Sequence, residues 1–295
     1  MTTATTTTSR AFDATGPVSA KIDIGARADI WVGATNEARV TVDVTPRDPS
    51  RALDVRAAET TTVSFIDGRL SIALKHWRRD SWFTDGGAVL VAVEVPIGSS
   101  IDLYSGMGTL SADGEFGSAA LVTGMGDVRV GTTADIRIKS GSGDVTIDGA
   151  TGSVDVNTAS GTISVGESTG SGRIKNGNGE TTVGAVAGAL EIRSSNGNIA
   201  VDHVTGDLTA RSANGSIRVT EATSGSVNGT TTIGAIRVGV MPGTAAWLDL
   251  GSKRGQVRNL LAASDTPSST DDTLRVTARS DFGDIVLHRS TEDAR

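Results

Sequence analysis

Residues 161–201 read GTISVGESTGSGRIKNGNGETTVGAVAGALEIRSSNGNIAV. Three times here a Gly is followed, two and four places on, by the same pair of positions: Gly161–Ile163–Val165, Gly179–Thr181–Val183 and Gly197–Ile199–Val201. The pattern extends outward over residues 97–240. Its glycines are Gly108, Gly126, Gly143, Gly161, Gly179, Gly197, Gly215 and Gly234, with gaps of 18, 17, 18, 18, 18, 18 and 19 residues. The first apolar column is Leu110, Val128, Val145, Ile163, Thr181, Ile199, Ile217 and Ile236, with Thr181 its one polar member. The second is Ala112, Val130, Ile147, Val165, Val183, Val201, Val219 and Val238. Alternation with period 2 predicts a strand with one buried face. A fixed long period predicts a solenoid.

Each repeat has a second half. Gly117, Gly152, Gly170, Gly188, Gly206 and Gly225 fall between the first set and precede a second alternating run. Its members include Leu121, Ile136, Ile138, Val154, Val156, Ile174, Leu190, Ile192, Leu208 and Val227. Each coil of about 18 residues therefore holds two short strands and two Gly-marked corners. The irregular gaps fall in corners, as they must, since a one-residue slip inside a strand turns its buried face outward. No Pro lies between Pro96 and Pro242. Stacked coils need every strand N–H, and Pro has none to give. The expectation is an all-β, single-stranded parallel β-solenoid, or β-helix, forming one core rather than two domains.

Working outward, residues 1–11 are Thr-rich and predict a disordered tail. Residues 12–95 predict an N-terminal coil with a hairpin insertion. Ala20, Ile22, Ile24, the stretch Ala28–Val32, and Val40, Val42 and Val44 read as an imperfect first coil. Thr61–Ile66 and Leu70–Leu74 flank Asp67-Gly68, a small antiparallel hairpin. Residues 96–240 are the regular solenoid, and 241–289 are irregular C-terminal coils. In those, Ala246–Leu250 opens one coil, Leu274–Leu287 forms the last, and 290–295 is a tail. Helical periodicity is not evident anywhere.

The chain has 295 residues, 37 Gly, no Cys and a net charge of −7. Absence of Cys removes disulfides, thiolate nucleophiles and Cys-ligated metals. The mixed, acidic charge argues against nucleic acid as a partner. No apolar run reaches membrane-spanning length, and Met1–Arg10 lacks the apolar core of a signal peptide, so the expectation is a cytoplasmic protein.

Catalytic and metal-binding constellations are not evident. His76, His203 and His288 lie in separate elements without i+3 or i+4 ligand partners. Asp127, Asp144 and Asp284 follow the repeat Gly, but without the double Gly of calcium-binding β-rolls, so they read as turn residues. Outward positions Ser111, Arg129, Thr146, Ser164, Thr182, Ala200, Arg218 and Arg237 form no carboxylate cleft. Gly-x-Gly pairs are coil corners, not phosphate loops. No cofactor is expected. Asn178, Asn196 and Asn214, each one position before a repeat Gly, read either as amides stacked along the rod or as residues serving the αL conformation of the turn. The remaining feature is the 75–83 segment, where Trp77, Arg78, Arg79, Trp82 and Phe83 gather the residue types enriched at binding hot spots. The alternative for these rings is a cap on the solenoid.

The Ser/Thr/Asn-Gly-x-Gly-Asp-Val units, the entry Val95–Ser99, the segment Ala246–Leu250 followed by Val257-Arg258-Asn259, and the ending Asp281–Ile285 carry a resemblance. Together they resemble the bacterial β-strand-repeat family named "putative adhesin" (domain-of-unknown-function family 4097), especially its actinobacterial branch without a signal peptide. The likeness covers about residues 12–290. It implies a single-stranded β-solenoid and brings no catalytic residues. The function expected is a non-catalytic scaffold or protein-interaction module. A protein partner is expected, and end-to-end self-association is open to it. A surface adhesin and a glycan-active enzyme are the alternatives.

Overall fold

The computed structural model describes residues 8–74, 87–261 and 272–290. In chain order the strands are β1 (Thr8–Asp13), β2 (Ser19–Thr35), β3 (Arg39–Pro46), β4 (Thr62–Ile66), β5 (Arg69–Leu74), β6 (Ala88–Pro96), β7 (Ser100–Met107), β8 (Leu110–Met125), β9 (Val128–Ser142), β10 (Val145–Ala150), β11 (Val154–Ser160) and β12 (Ile163–Ser168). They continue as β13 (Ser171–Asn178), β14 (Thr181–Val186), β15 (Ala189–Asn196), β16 (Ile199–Val204), β17 (Asp207–Asn214), β18 (Ile217–Ala222), β19 (Gly225–Ile233), β20 (Ile236–Val240), β21 (Ala245–Arg254), β22 (Val257–Asn259), β23 (Thr273–Phe282) and β24 (Ile285–Arg289). Helix α1 spans Ala52–Thr60. The fold is an all-β parallel solenoid with an antiparallel region near the N-terminus. Among the described residues no helix is long and apolar enough to cross a membrane. The chain divides into two compact units, residues 1–147 and 148–295.

In the second unit, β12, β14, β16, β18 and β20 form one parallel ladder and β11, β13, β15, β17 and β19 another. The predicted columns are the register itself. Val165 stacks on Val183, Val201, Val219 and Val238 in turn, each at most 2% exposed. Every buried Val or Ile of this size contributes about 1.5–3 kcal/mol, and a stack repeats that contribution at each coil. The corners depend on glycine. Gly179 has φ 130°, a conformation closed to side chains, and a Cβ there would collide with the Gly161 carbonyl of the previous coil.

A column that sequence reasoning did not interpret lies inside these corners. Ser212 Oγ donates to the Gly197 carbonyl at 3.2 Å, Thr231 Oγ1 to Gly215 at 2.8 Å and Ser280 Oγ to Gly234 at 3.0 Å. Each donor sits three residues before a repeat Gly and is buried. In these coils the hydroxyl bonds a corner carbonyl of the coil before it, whereas the Thr123, Ser140, Thr158 and Ser194 hydroxyls at the same column position have no partner among the described residues.

The end of the second unit departs from chain order. β23 pairs with β19 on one side and β21 on the other, and β24 lies between β20 and β22. Leu274–Leu287 is thus not the last coil in space; it is inserted inside the coil formed by β21 and β22. Leu248 and Leu250, which stack on Val276 and Ala278, are only half-buried, and Val257 is exposed.

In the first unit, β2 is a complete first coil. Its start pairs in parallel with β7, Ser19 opposite Ser100, and its end with β8, Ile30 opposite Leu110. Val40, Val42 and Val44 do not belong to this coil. They form β3, which runs antiparallel to β6 and β1. Alternation is identical in parallel and antiparallel strands, so the pattern does not encode direction. The Asp67-Gly68 hairpin is present, with both residues at positive φ (50° and 72°) and β4 antiparallel to β5. Thr8–Asp13, which overlaps the tail expected to be disordered, forms β1. All of β1 pairs with residues 39–44 of β3, and the Phe12 and Phe65 ring centroids lie 5.2 Å apart. The Arg10 guanidinium donates to the Val63 carbonyl at 2.9 Å, tying β1 to β4.

Helix α1 corrects the expectation of no helix. It is anchored by a carboxylate: Asp54, 2% exposed, accepts the Ala88 and Asp48 N–H groups at 2.9 and 3.1 Å and lies 3.5 Å from Arg51.

Candidate functional site

The second unit carries a shallow trough of about 590 Å³ on the outward face of β11, β13, β15, β17 and β19. The floor is a column of small residues, among them Ala159, Gly177, Ser195, Ala213 and Thr232. They are small where the neighbouring column is long. In that column Asn157, Lys175, Arg193, Arg211 and Thr230 succeed each other coil by coil, and all five are exposed. Adjacent rows are separated by the strand spacing of roughly 4.8 Å. Lys175, Arg193 and Arg211 are therefore a ladder of three cations fixed by backbone pairing.

Glu191 organises the charges. Its carboxylate takes Arg173 at 2.8 Å and Arg193 at 2.6 Å, with Arg211 at 4.0 Å. Hydrogen bonds from the Arg193 and then the Arg173 guanidinium hold its carboxyl below the usual glutamate range. The outward positions of these five strands hold four cations (Arg173, Lys175, Arg193 and Arg211) against three carboxylates (Asp155, Glu191 and Asp207), but the residues that line the trough itself include Lys175, Arg193 and Arg211 and no carboxylate. Lys175 has no ion pair among the described residues. The trough is thus a cationic strip in a chain of net charge −7.

One edge of the strip is the Asn ladder. Asn196 Nδ2 donates to Asn178 Oδ1, and Asn214 Nδ2 to Asn196 Oδ1, each at 2.9 Å across 18 residues. Stacked amides fix this edge of the rows. The Asp residues after the repeat Gly also serve stacking. Asp127 accepts the Asp144 N–H and Asp284 the Gln256 N–H, both at 2.9 Å. Among the described residues no group of three or more His, Asp or Glu side chains is placed to hold a metal ion. His203 pairs with Glu221 at 3.0 Å, and His288 Nδ1 contacts the Arg289 carbonyl.

Trp77, Arg78, Arg79, Trp82 and Phe83, the site expected from sequence, lie outside the described residues. The ladder of Lys175, Arg193 and Arg211 was missed. The outward positions considered in the sequence belong to the other strand of each coil. The signal was available as three basic residues separated by one full repeat.

Several solved structures match the chain at low identity. One from Parabacteroides merdae, described as a "putative adhesin", is 12% identical with a TM-score of 0.42, over 79% of this chain and 92% of its own. A second of that description, from Parabacteroides distasonis, is 13% identical with a TM-score of 0.39, over 96% and 98%. A "putative lipid binding protein" from Parabacteroides distasonis is 12% identical with a TM-score of 0.36, over 96% and 97%. No curated protein matches the chain. The Toastrack DUF4097 family model matches residues 19–293, and the chain belongs to that family.

Proposed function

We propose that the protein is a non-catalytic binding scaffold whose second unit holds an acidic, extended stretch of a partner polypeptide in the trough. The observation that carries this is the ladder of Lys175, Arg193 and Arg211 above a floor of small side chains. A rigid row of cations over an open floor admits a chain and presents charge at fixed steps. It offers no positioned acid–base pair for a reaction. Exposed charges of this kind set specificity and encounter rate more than raw affinity, and they are screened by salt. The reading does not depend on the compartment in which the protein works.

The test is fluorescence anisotropy of a labelled octaglutamate peptide against the full chain. Binding should weaken at least about tenfold in the variant Lys175→Ser, Arg193→Ser, Arg211→Ser, and should fall with added salt. The melting temperature should fall no further than it does in Glu191→Gln, because all three side chains are exposed and the close ion pair lost is the one between Arg193 and Glu191. Equal binding by that variant, or no binding by the parent at low salt, would reject the proposal.

A further inference from the structure

The first unit carries an unrelated feature on its own outer face. Trp31 of β2 projects outward in a row with Ala92 of β6 and Asp43 of β3. The next row is Asp29, Leu90 and Thr45. Together these six residues help to line an open slot of about 390 Å³. The indole is held, not merely displayed. Its Nε1–H donates to Asp113 Oδ2 at 2.6 Å. Its six-membered ring lies over Gly33, where a Cβ would stand 2.6 Å from the indole Cη2. Trp31 and Leu90 nevertheless both remain 38% exposed. A large ring fixed by a hydrogen bond and a neighbouring Gly, yet left open to solvent, is a preorganised surface.

The charges around the slot choose the ligand. Asp29 is neutralised by Arg47 at 2.7 Å and also accepts the Thr109 N–H at 2.9 Å. Asp113 receives the indole N–H. Asp43 has no ion pair among the described residues. The slot therefore has apolar walls, Asp43 as a lining carboxylate without an ion pair, and at the indole edge Asp113, whose charge the neutral N–H does not cancel. Anions are excluded by Asp43. A sugar would need several polar partners for its hydroxyls, and the walls are mostly hydrocarbon. An aliphatic stem ending in a cation satisfies both parts: the methylenes lie on Trp31 and Leu90, and the charge reaches the indole face and Asp43.

We infer that this slot receives a Lys or Arg side chain from a partner polypeptide. The polypeptide is required on energetic grounds. An exposed cation–π contact raises affinity only about two- to fivefold, so a free amine would bind too weakly without neighbouring contacts. This surface is separate from the cationic trough and does not rest on that reading.

The experiment follows the Trp31 indole N–H signal by NMR in the full chain, assigned by its loss in Trp31→Phe. The probes are a capped pentapeptide with a central Arg, the same peptide with neutral citrulline, arginine amide, and maltose. The Arg peptide should shift the signal saturably, and the citrulline peptide should bind at least about fivefold more weakly, the factor that 1 kcal/mol represents. Asp43→Asn should produce a comparable loss without changing the melting temperature. Arginine amide should bind more weakly than the Arg peptide. Equal binding of the Arg and citrulline peptides, preference for maltose, arginine amide matching the Arg peptide, or no response to any probe would overturn the inference.

Discussion

The side-chain amide of Asn176 lies 3.3 Å from the Thr181 hydroxyl inside the second unit. That contact accounts for the one polar break in the apolar column. Other coils place Ser or Thr three residues before the repeat Gly and Ile, Val or Leu two after it, as Ser194 and Ile199 do. Here the larger Asn fills the polar position, and Thr181, fully buried, accepts from it. Asn176 Nδ2 also reaches the Gly161 and Gly179 carbonyls at 3.0 and 3.1 Å, while its Oδ1 has no partner among the described residues. The two departures from the repeat are one substitution in two places.

The pair should therefore behave as coupled. Asn176→Ser alone leaves the Thr181 hydroxyl without its donor and should destabilise by about 1–2 kcal/mol. Adding Thr181→Ile restores the repeat pair, and the double variant should be at least as stable as the parent. A double-mutant cycle by urea denaturation should give a coupling of about 0.5–2 kcal/mol. Strictly additive values would contradict the contact.

Gly179→Ala should be far worse than Gly16→Ala. At Gly179 the new Cβ meets the Gly161 carbonyl, and the backbone is in the left-handed region at φ 130°. At Gly16 a Cβ meets nothing within 4 Å. Thermal melts should show a loss of about 2 kcal/mol or more for Gly179→Ala and within about 0.5 kcal/mol of zero for Gly16→Ala. Similar effects at the two positions would mean that the corner is not stacked as described.

Glu191 sets a pH dependence. Its folded-state carboxyl is held low by Arg193 and Arg173, so the unfolded chain binds its proton first as pH falls. The contribution is complete above the ordinary glutamate value of 4.5 and is lost as pH drops through the lower folded value. The parent should melt slightly above Glu191→Gln at pH 7, and the gap should narrow progressively as pH falls below the ordinary glutamate value. A gap that widens in acid would reverse the sign argued here. At pH 7 the same variant should bind octaglutamate more tightly, since it raises the charge of the strip by one.

The coil was legible because each buried column recurs at a fixed interval, and the hairpin because Asp67-Gly68 has a specific turn chemistry. Other features carried no such mark. Helix α1 buries Asp54, Ala57 and Ala58; that is helical spacing, but it is made with a carboxylate and two small side chains instead of an apolar stripe. The inserted coil β23–β24 could not be placed from sequence. Leu248, Val276 and Val227 all follow the same alternation, and alternation says nothing about which coil lies next to which. The cationic ladder had a signal, its 18-residue spacing, but it stands on the strand whose outward positions were not weighed. Trp31 looked like an ordinary coil residue, since only the third dimension sets it beside Ala92, Asp43 and Asp113.

The central claim is that Lys175 and Arg193 stand side by side on one face, one coil apart. The chain has no native Cys, so pairs of cysteines can test this directly with a short bifunctional thiol reagent that spans one coil spacing, roughly 5 Å. Lys175→Cys with Arg193→Cys should cross-link rapidly in the folded protein. Lys175→Cys with Ser194→Cys, where position 194 faces inward, should not, and Lys175→Cys with Arg211→Cys should lie out of reach at about two spacings. Cross-linking of the Ser194 pair in place of the Arg193 pair would shift the register by one residue and remove both the stacked core and the cationic ladder.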